Sequence, residues 1–304
     1  MASEHVAAFD TTPPRARVGE YLELCKPKVV VLLVFTAIVG MFLSVPGMVP
    51  WMPLVFGTVG IGLAAAAGAA FNHVIDRRID EVMNRTSARP LPTGQVDARS
   101  ALIFALCLTL ASMLVLAGLV NWLTAILTFF SMVAYAVVYT VYLKHMTPQN
   151  IVVGGAAGAM PPVLGWTAVT GQVDPHALLL FLIIFVWTPP HFWALAIHRA
   201  DDYARAEVPM LPVTHGIPFT RVQIMLYTVL LFVVGLLPYI TRMSGVIYLV
   251  ASVLLGLGFL YFAARLLWRT EPHLPMKTFG YSIVYLAGIF AALLIDHYVP
   301  LSWR

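Results

Sequence analysis

Residues 51–80 read WMPLVFGTVGIGLAAAAGAAFNHVIDRRID, so that an apolar segment runs directly into a polar cluster. Its first 21 residues, 51–71, contain no charged side chain. A helix that crosses a bilayer needs about 20 mainly apolar residues. The stretch therefore predicts a membrane-spanning helix that ends among the acids Asp76 and Asp80.

The composition of the complete chain agrees with this interpretation. Of 304 residues, 60% are hydrophobic and only 11% are charged, and the mean hydropathy is +0.87. Soluble domains carry about 25% charged residues. Such a chain cannot cover its surface with solvated groups, which excludes a soluble enzyme, a disordered scaffold and a secreted disulfide-bonded domain. The chain is expected to be an all-α, polytopic membrane protein in which the two cysteines form no structural disulfide.

Apolar stretches of suitable length recur along the chain and predict about nine transmembrane helices. They lie near residues 28–45, 51–71, 100–119, 122–142, 150–170, 177–198, 221–240, 243–267 and 279–298. Residues 1–27 are polar and are expected to form a cytoplasmic tail, and residues 28–304 form the intramembrane domain.

The distribution of lysine and arginine predicts the orientation. With nine spans and a cytoplasmic N-terminus, 16 of the 18 basic residues fall on the cytoplasmic side, and only Arg242 and Arg304 fall opposite. Basic residues accumulate in cytoplasmic loops. The pI of about 9.1 is therefore mainly a topology signal, and no nucleic-acid partner is expected. Two longer polar loops, about 72–99 and 199–220, lie on this side.

Asn72, Asp76 and Asp80 follow one another at intervals of four, which places them on one face of a helix. Acids near lipid indicate function, and carboxylates with substrate phosphates are the usual ligands of Mg²⁺. The alternative is that the acids form ion pairs with Arg77, Arg78 or Arg85.

Basic side chains near these acids are candidates for binding a diphosphate. Arg85 and Arg89 lie in a Pro-rich turn, and guanidinium groups grip phosphate oxygens well. The alternative is ordinary positive-inside charge. Lys144, at the end of the fourth span, could bind diphosphate or extend to lipid headgroups.

The second loop carries another acidic pair, Asp201 and Asp202, between Arg199 and Arg205. Adjacent helical residues point about 100° apart, so the two carboxylates cannot share a face. At least one is a candidate metal ligand, and the two arginines are further candidates for diphosphate binding.

The sixth span contains Trp187 and then TPPHFW, so Pro189 and Pro190 are expected to interrupt the helix. His191 and His198 are seven residues apart and share a face. Histidine is a common haem ligand, although a lone helical histidine is more often hydrogen-bonded to a neighbour.

The motif NHVIDRRID (72–80) resembles the NxxxDxxxD motif of the UbiA-type intramembrane prenyltransferases. Longer segments resemble one branch, the protohaem IX farnesyltransferases, over nearly the whole chain from about residue 20. They are RTSARPLPTG (85–94), TPQNIVVGG (147–155), TPPHFWAL (188–195), DDY (201–203) and PMLP (209–212).

The resemblance implies helices around a central cavity open to lipid, with Mg²⁺ held by Asp76 and Asp80 and supported by Asn72. It implies that ionised farnesyl diphosphate alkylates a vinyl group of haem B, and that water addition completes haem O. Lys144 would act with the arginines on the departing diphosphate, and His191, Trp187 and His198 would contact haem. The resemblance also implies that the protein lies in a bacterial inner membrane. The haem O product would pass from it to a haem A synthase or a terminal oxidase.

Two departures from the family pattern stand in the second loop. The second motif is usually DxxxD, whereas this chain has RADDY at 199–203, so that Arg199 replaces part of the charge. Glu207 also stands where the branch usually has glycine.

Three other functions are weighed against this one. A prenyltransferase of the same superfamily could act on a quinone or chlorin ring. An ion-coupled transporter would place its acids near the membrane midplane, whereas these acids cluster at one surface. A haem-binding assembly protein would not need the paired acids.

Overall fold

The computed structural model describes residues 17–299, and each regular element within them is helical. The first half comprises α1 (Val18–Leu24), α2 (Pro27–Leu43), a π-helical turn (Pro53–Gly57) that leads into α3 (Thr58–Val82), α4 (Ala98–Leu119), α5 (Trp122–Val133), a π-helical segment (Ala134–Leu143), α6 (Lys144–Met146) and α7 (Asn150–Ala159). The second half comprises α8 (Pro161–Thr170), α9 (Pro175–His198), α10 (Ala200–Arg205), α11 (Leu211–Thr214), α12 (Gly216–Ile240), α13 (Val246–Trp268) and α14 (Leu274–Tyr298).

Eight helical segments among the described residues are long and apolar enough to cross a membrane. The helix pair α1–α2 supplies a ninth if it is counted as one broken span. The predicted all-α architecture with about nine spans is therefore confirmed.

The junction between α1 and α2 is a sharp bend of 55°. Lys26 forms the joint, with φ 48° and ψ 60°, a left-handed conformation that residues other than glycine rarely adopt. Pro27 then begins α2, where its missing N–H is not needed. Of the predicted tail, residues 1–16 lie outside the described residues.

Helix α9 lies at the centre of the fold and packs against α7, α12 and α14. The expectation that Pro189 and Pro190 would interrupt it was wrong, because the helix continues through both residues to His198. Both prolines are buried, so packing against three neighbouring helices compensates for the missing N–H donors.

Two predicted spans have internal irregularities. The fourth changes from α- to π-helical geometry at Ala134, and the Thr140 hydroxyl donates to the Tyr135 carbonyl five residues earlier, at 2.9 Å. The fifth is divided at Met160 into α7 and α8. π-Helical segments occur frequently at functional sites, and this one carries Thr140 toward α3.

Candidate active site

The polar face of α3 is buried within the helical bundle. Asn72, Asp76 and Asp80 are 6%, 4% and 3% exposed, whereas Arg77 and Arg78 between them are exposed. The four-residue spacing thus places all three predicted side chains on the interior face of one helix. The helix extends to Val82, so the first part of the predicted loop is helical.

Asp76 is held by two of the predicted site residues. The Asn72 amide donates from Nδ2 to Asp76 Oδ2 at 2.7 Å, and Lys144 Nζ lies 2.7 Å from Asp76 Oδ1. Both side chains are largely buried, so the contact between Lys144 and Asp76 is a buried ion pair. Lys144 therefore faces the acid cluster and does not extend to headgroups.

Asp80 is paired with the loop that follows α3. Arg89 Nη1 lies 2.7 Å from Asp80 Oδ2, and the Thr86 hydroxyl donates to the Asp80 carbonyl at 3.1 Å. Arg85 is exposed. Within the described chain neither acid pairs with Arg77, Arg78 or Arg85, so the ion pairs form with partners other than those considered from the sequence.

Lys26 is a site residue that sequence reasoning missed. Its ammonium donates to Asn72 Oδ1, which orients the amide so that Nδ2 faces Asp76. The sequence suggested only a topology charge for Lys26, because 46 residues separate it from Asn72. The sequence signal that could have indicated Lys26 as a site residue is its position directly before Pro27, at the start of a span.

The second acidic pair is divided between two environments. Asp202 is buried and contacts Arg205, with Arg199 Nη1 at 3.8 Å, whereas Asp201 is exposed. This agrees with the expectation that adjacent acids cannot share a face. The role of either residue as a metal ligand stays a prediction.

Tyr203 links the second loop to the first. Burial raises the pKa of its phenol, and the guanidinium groups of Arg85, Arg199 and Arg89 act against that rise. The phenol is therefore protonated near neutral pH, with three arginines in its vicinity. The sequence indicated Tyr203 only as part of a motif, since nothing in the local pattern shows that it is buried.

The donor set on α3 fits Mg²⁺. No group of three or more histidine, cysteine, aspartate or glutamate side chains in residues 17–299 is arranged to hold a metal ion. Mg²⁺, however, usually binds through one or two carboxylates and takes its remaining ligands from substrate phosphates and water. Asp76 and Asp80 supply such carboxylates, and Asn72 supports them by donating its amide N–H to Asp76.

The predicted haem contacts lie deeper along α9. The His191 ring is stacked between Trp187 and Phe279, at centroid distances of 4.2 and 4.4 Å, and its Nδ1 lies 2.6 Å from the Ser282 hydroxyl. Trp187 Nε1 donates to the Ser282 carbonyl at 2.7 Å. His191 Nδ1 is therefore hydrogen-bonded to a neighbour, which was the alternative to haem ligation. Haem ligation through the other ring nitrogen stays a prediction.

His198 is separated from His191 by its environment. It is exposed at the end of α9, whereas His191 is buried. The structure therefore does not bring the two histidines into one pocket, although they are seven residues apart.

Comparison with known proteins gives consistent matches. The profile of the UbiA prenyltransferase family matches residues 33–293. A protein of Nitrosococcus oceani named protoheme IX farnesyltransferase is 62% identical over 281 residues, which cover 92% of this chain and 94% of the relative. A protein of the same name from Thioalkalivibrio sulfidiphilus is 60% identical over 298 residues, covering 97% and 98%.

Solved structures show the same fold at low sequence identity. A structure of a digeranylgeranylglyceryl phosphate synthase has a TM-score of 0.76 at 19% identity and covers 92% of this chain and 98% of its own. A UbiA homolog from Archaeoglobus fulgidus bound to GPP and Mg²⁺ has a TM-score of 0.62 at 19% identity, with coverages of 90% and 99%.

Proposed function

Because the chain belongs to the UbiA prenyltransferase family, we propose that it transfers the farnesyl group of farnesyl diphosphate to a vinyl group of haem B. Diphosphate leaves when the donor ionises, and water addition to the alkylated vinyl group then completes haem O. The names of the relatives that are about 60% identical support this choice of donor and acceptor.

The observation that carries the proposal is the buried acid cluster on α3. Two carboxylates and an amide lie on one interior face, and each carboxylate is paired with a cation. A membrane enzyme that ionises a diphosphate needs two kinds of group. Carboxylates bind Mg²⁺, and cations bind the phosphate oxygens. The cluster combines both, because α3 supplies the carboxylates while Lys144 and Arg89 reach them from other parts of the chain.

The reaction begins with cleavage of the C1–O bond of farnesyl diphosphate, whose electron pair leaves with the diphosphate. The π electrons of a haem vinyl group then form a bond to the allylic C1. This leaves a cation on the vinyl carbon next to the macrocycle, and water adds there and loses a proton. The product carries a hydroxyethylfarnesyl side chain, so atoms and charge balance.

Mg²⁺ bound by Asp76 and Asp80 would offset negative charge on the departing diphosphate. Lys144 and Arg89, which form ion pairs with these acids, would also offset negative charge on phosphate oxygens. Arg85, Arg199 and Arg205 would add positive charge for the same group, although Arg199 and Arg205 here contact Asp202. Asn72 orients Asp76 through its amide.

A panel of acceptors tests the proposal. The full chain in lipid nanodiscs receives farnesyl diphosphate and Mg²⁺ with either haem B or a phenolic quinone precursor. We expect a farnesylated product only from haem B. Transfer to the phenolic ring and not to haem would contradict the choice of acceptor, and transfer to neither would favour a transporter or a haem-binding assembly protein.

A further inference from the structure

A cavity of about 470 Å³ lies between the α1–α2 junction and α3, beside the acid cluster. Its wall includes Lys26, Lys28, His73, Arg89 and one carboxylate, Glu23. Three cations thus face a single acid, and a concave site lined mainly by one sign of charge concentrates ions of the opposite sign. The cavity is therefore suited to an anionic group.

His73 is the least satisfied polar side chain in this wall. It is 2% exposed, and neither ring nitrogen has a hydrogen-bond partner among residues 17–299. Burying an unpaired polar group is unfavourable. A ligand oxygen in the cavity would accept the ring N–H and remove the part of this cost that comes from the donor nitrogen.

Lys26 contributes a second, independent observation. Its backbone is left-handed, with φ 48°, although it is not glycine, and its amine lies between the cavity and Asn72. Unfavourable backbone conformations persist where the surroundings enforce them, and they are concentrated at functional sites. Here the conformation holds an ammonium group at the cavity wall.

We propose that this cavity binds an ionised carboxylate of the acceptor molecule. The proposal rests on the function proposed above, because haem B carries propionate groups. His73 donates its N–H to a carboxylate oxygen, while Lys26 and Arg89 offset the negative charge.

The donor's diphosphate fits this cavity less well. Asn72, Asp76 and Asp80 are not part of the wall, so a diphosphate bound there with Mg²⁺ would have no carboxylate from α3 for its metal. A carboxylate needs only N–H donors and positive charge, and the wall supplies both. The two substrates therefore have adjacent sites of different chemistry, with Arg89 at the boundary between them.

The test compares haem B with its dimethyl ester, in which the propionates carry no charge. Dissociation constants are measured by quenching of tryptophan fluorescence, with the full chain in nanodiscs. His73→Leu is expected to weaken binding of haem B about tenfold, the loss of one hydrogen bond to a charged group, and to leave the ester unaffected. His73→Gln, which keeps an N–H donor, should restore most of the affinity.

Arg78→Gln serves as the matched control, because Arg78 is an exposed cation on the same helix that is not part of the cavity wall. It should bind both compounds as the wild type does, and thermal unfolding of every variant checks folding. The proposal would be overturned if His73→Leu weakened the binding of haem B and of its ester equally, or if it weakened neither. If His73→Leu weakened only the binding of farnesyl diphosphate, the cavity would be assigned to the donor, and the proposal would be overturned as well.

If the proposed function itself is wrong, the measurements give a different result from the one expected when only the carboxylate site is wrong. A wild-type protein that binds neither haem B nor its ester, yet prenylates a phenolic ring, would remove the acceptor assignment itself. A wild-type protein that forms haem O while His73→Leu binds haem B normally would remove only the carboxylate site.

Discussion

Lys144 and Asp76 form a buried ion pair, with Nζ and Oδ1 2.7 Å apart. Lys144→Met removes the charge and leaves the carboxylate without its cation. We expect the rate of diphosphate release to fall by a factor of about 10²–10³, the usual cost of losing one group that stabilises developing charge. Arg78→Gln, an exposed substitution on α3, should retain wild-type activity; equal rates in the two variants would contradict the role of Lys144.

Glu207 adopts φ 54°, the left-handed region that favours glycine. This conformation agrees with the glycine that the family resemblance leads us to expect at the position. Glu207→Gly should raise the free energy of unfolding by about 1 kcal/mol, because the strain of a side chain in this region slightly exceeds the extra flexibility of glycine in the unfolded chain. Detergent unfolding curves measure the difference.

The neighbouring Ala206, at φ −84°, provides the matched control for Glu207→Gly. Ala206→Gly should lower stability, because glycine there gains no relief from strain and adds only unfolded-state entropy. Equal effects of the two glycine substitutions would contradict the strain assigned to Glu207.

Local sequence identified Asn72, Asp76, Asp80 and Lys144 as site residues, because polar and charged side chains at the end of an apolar span are costly to bury unless they bind something. It did not identify their partners. The contacts of Lys26 with Asn72 and of Lys144 with Asp76 join different helices, and no periodicity within one helix encodes such pairs. The structure brings several of these side chains together, and the roles of all the predicted site residues in binding metal, diphosphate or haem remain predictions.

Helices α2 and α8 approach each other closely at two glycines. A Cβ added at Gly165 would lie 1.9 Å from the Ala37 carbonyl oxygen, and one at Gly40 would lie 2.3 Å from that of Pro162. Backbone atoms cannot move aside as a flexible side chain can. Gly165→Ala should therefore destabilise the protein by about 2 kcal/mol or more, as measured by unfolding in detergent.

Gly158→Ala is the control for this prediction, since a Cβ at Gly158 meets no atom within 4 Å. Alanine favours the helix over glycine by about 1 kcal/mol, so this variant should be as stable as the wild type or more so. A loss at Gly158 equal to that at Gly165 would show that helix packing is not the cause.

Helix positions were predictable because a bilayer fixes the length of an apolar segment. Irregularities within the helices were less so. The division at Met160 has a local cause, because Pro161 and Pro162 follow it and begin α8. The π-helical geometry of Ala134–Leu143 and the continuity of α9 through Pro189 have no comparable local signal. Gly154 and Gly158 have a four-residue spacing that is typical of close helix packing. Only Gly154 is close to a neighbour, because a Cβ added there would lie 2.1 Å from Tyr139 Cδ2.

The complete chain has a strong charge asymmetry, which predicts that the acid cluster faces the cytoplasm. Single cysteines at Glu81 and Thr241, both exposed positions, test this in a chain with Cys25 and Cys107 replaced by serine. A membrane-impermeant maleimide should label position 81 only in inverted vesicles and position 241 only in right-side-out vesicles. The reverse pattern would place the site on the opposite side.

Activation of a prenyl diphosphate by the acids on α3, for transfer to haem, can be tested in a single assay. The assay is mass analysis of haem from membranes that contain the protein and are supplied with haem B, farnesyl diphosphate and Mg²⁺. We predict a haem heavier by one farnesyl group plus water, formed by the wild type and absent with Asp76→Asn. Unmodified haem B from the wild type, or the same heavier haem from Asp76→Asn, would contradict this mechanism.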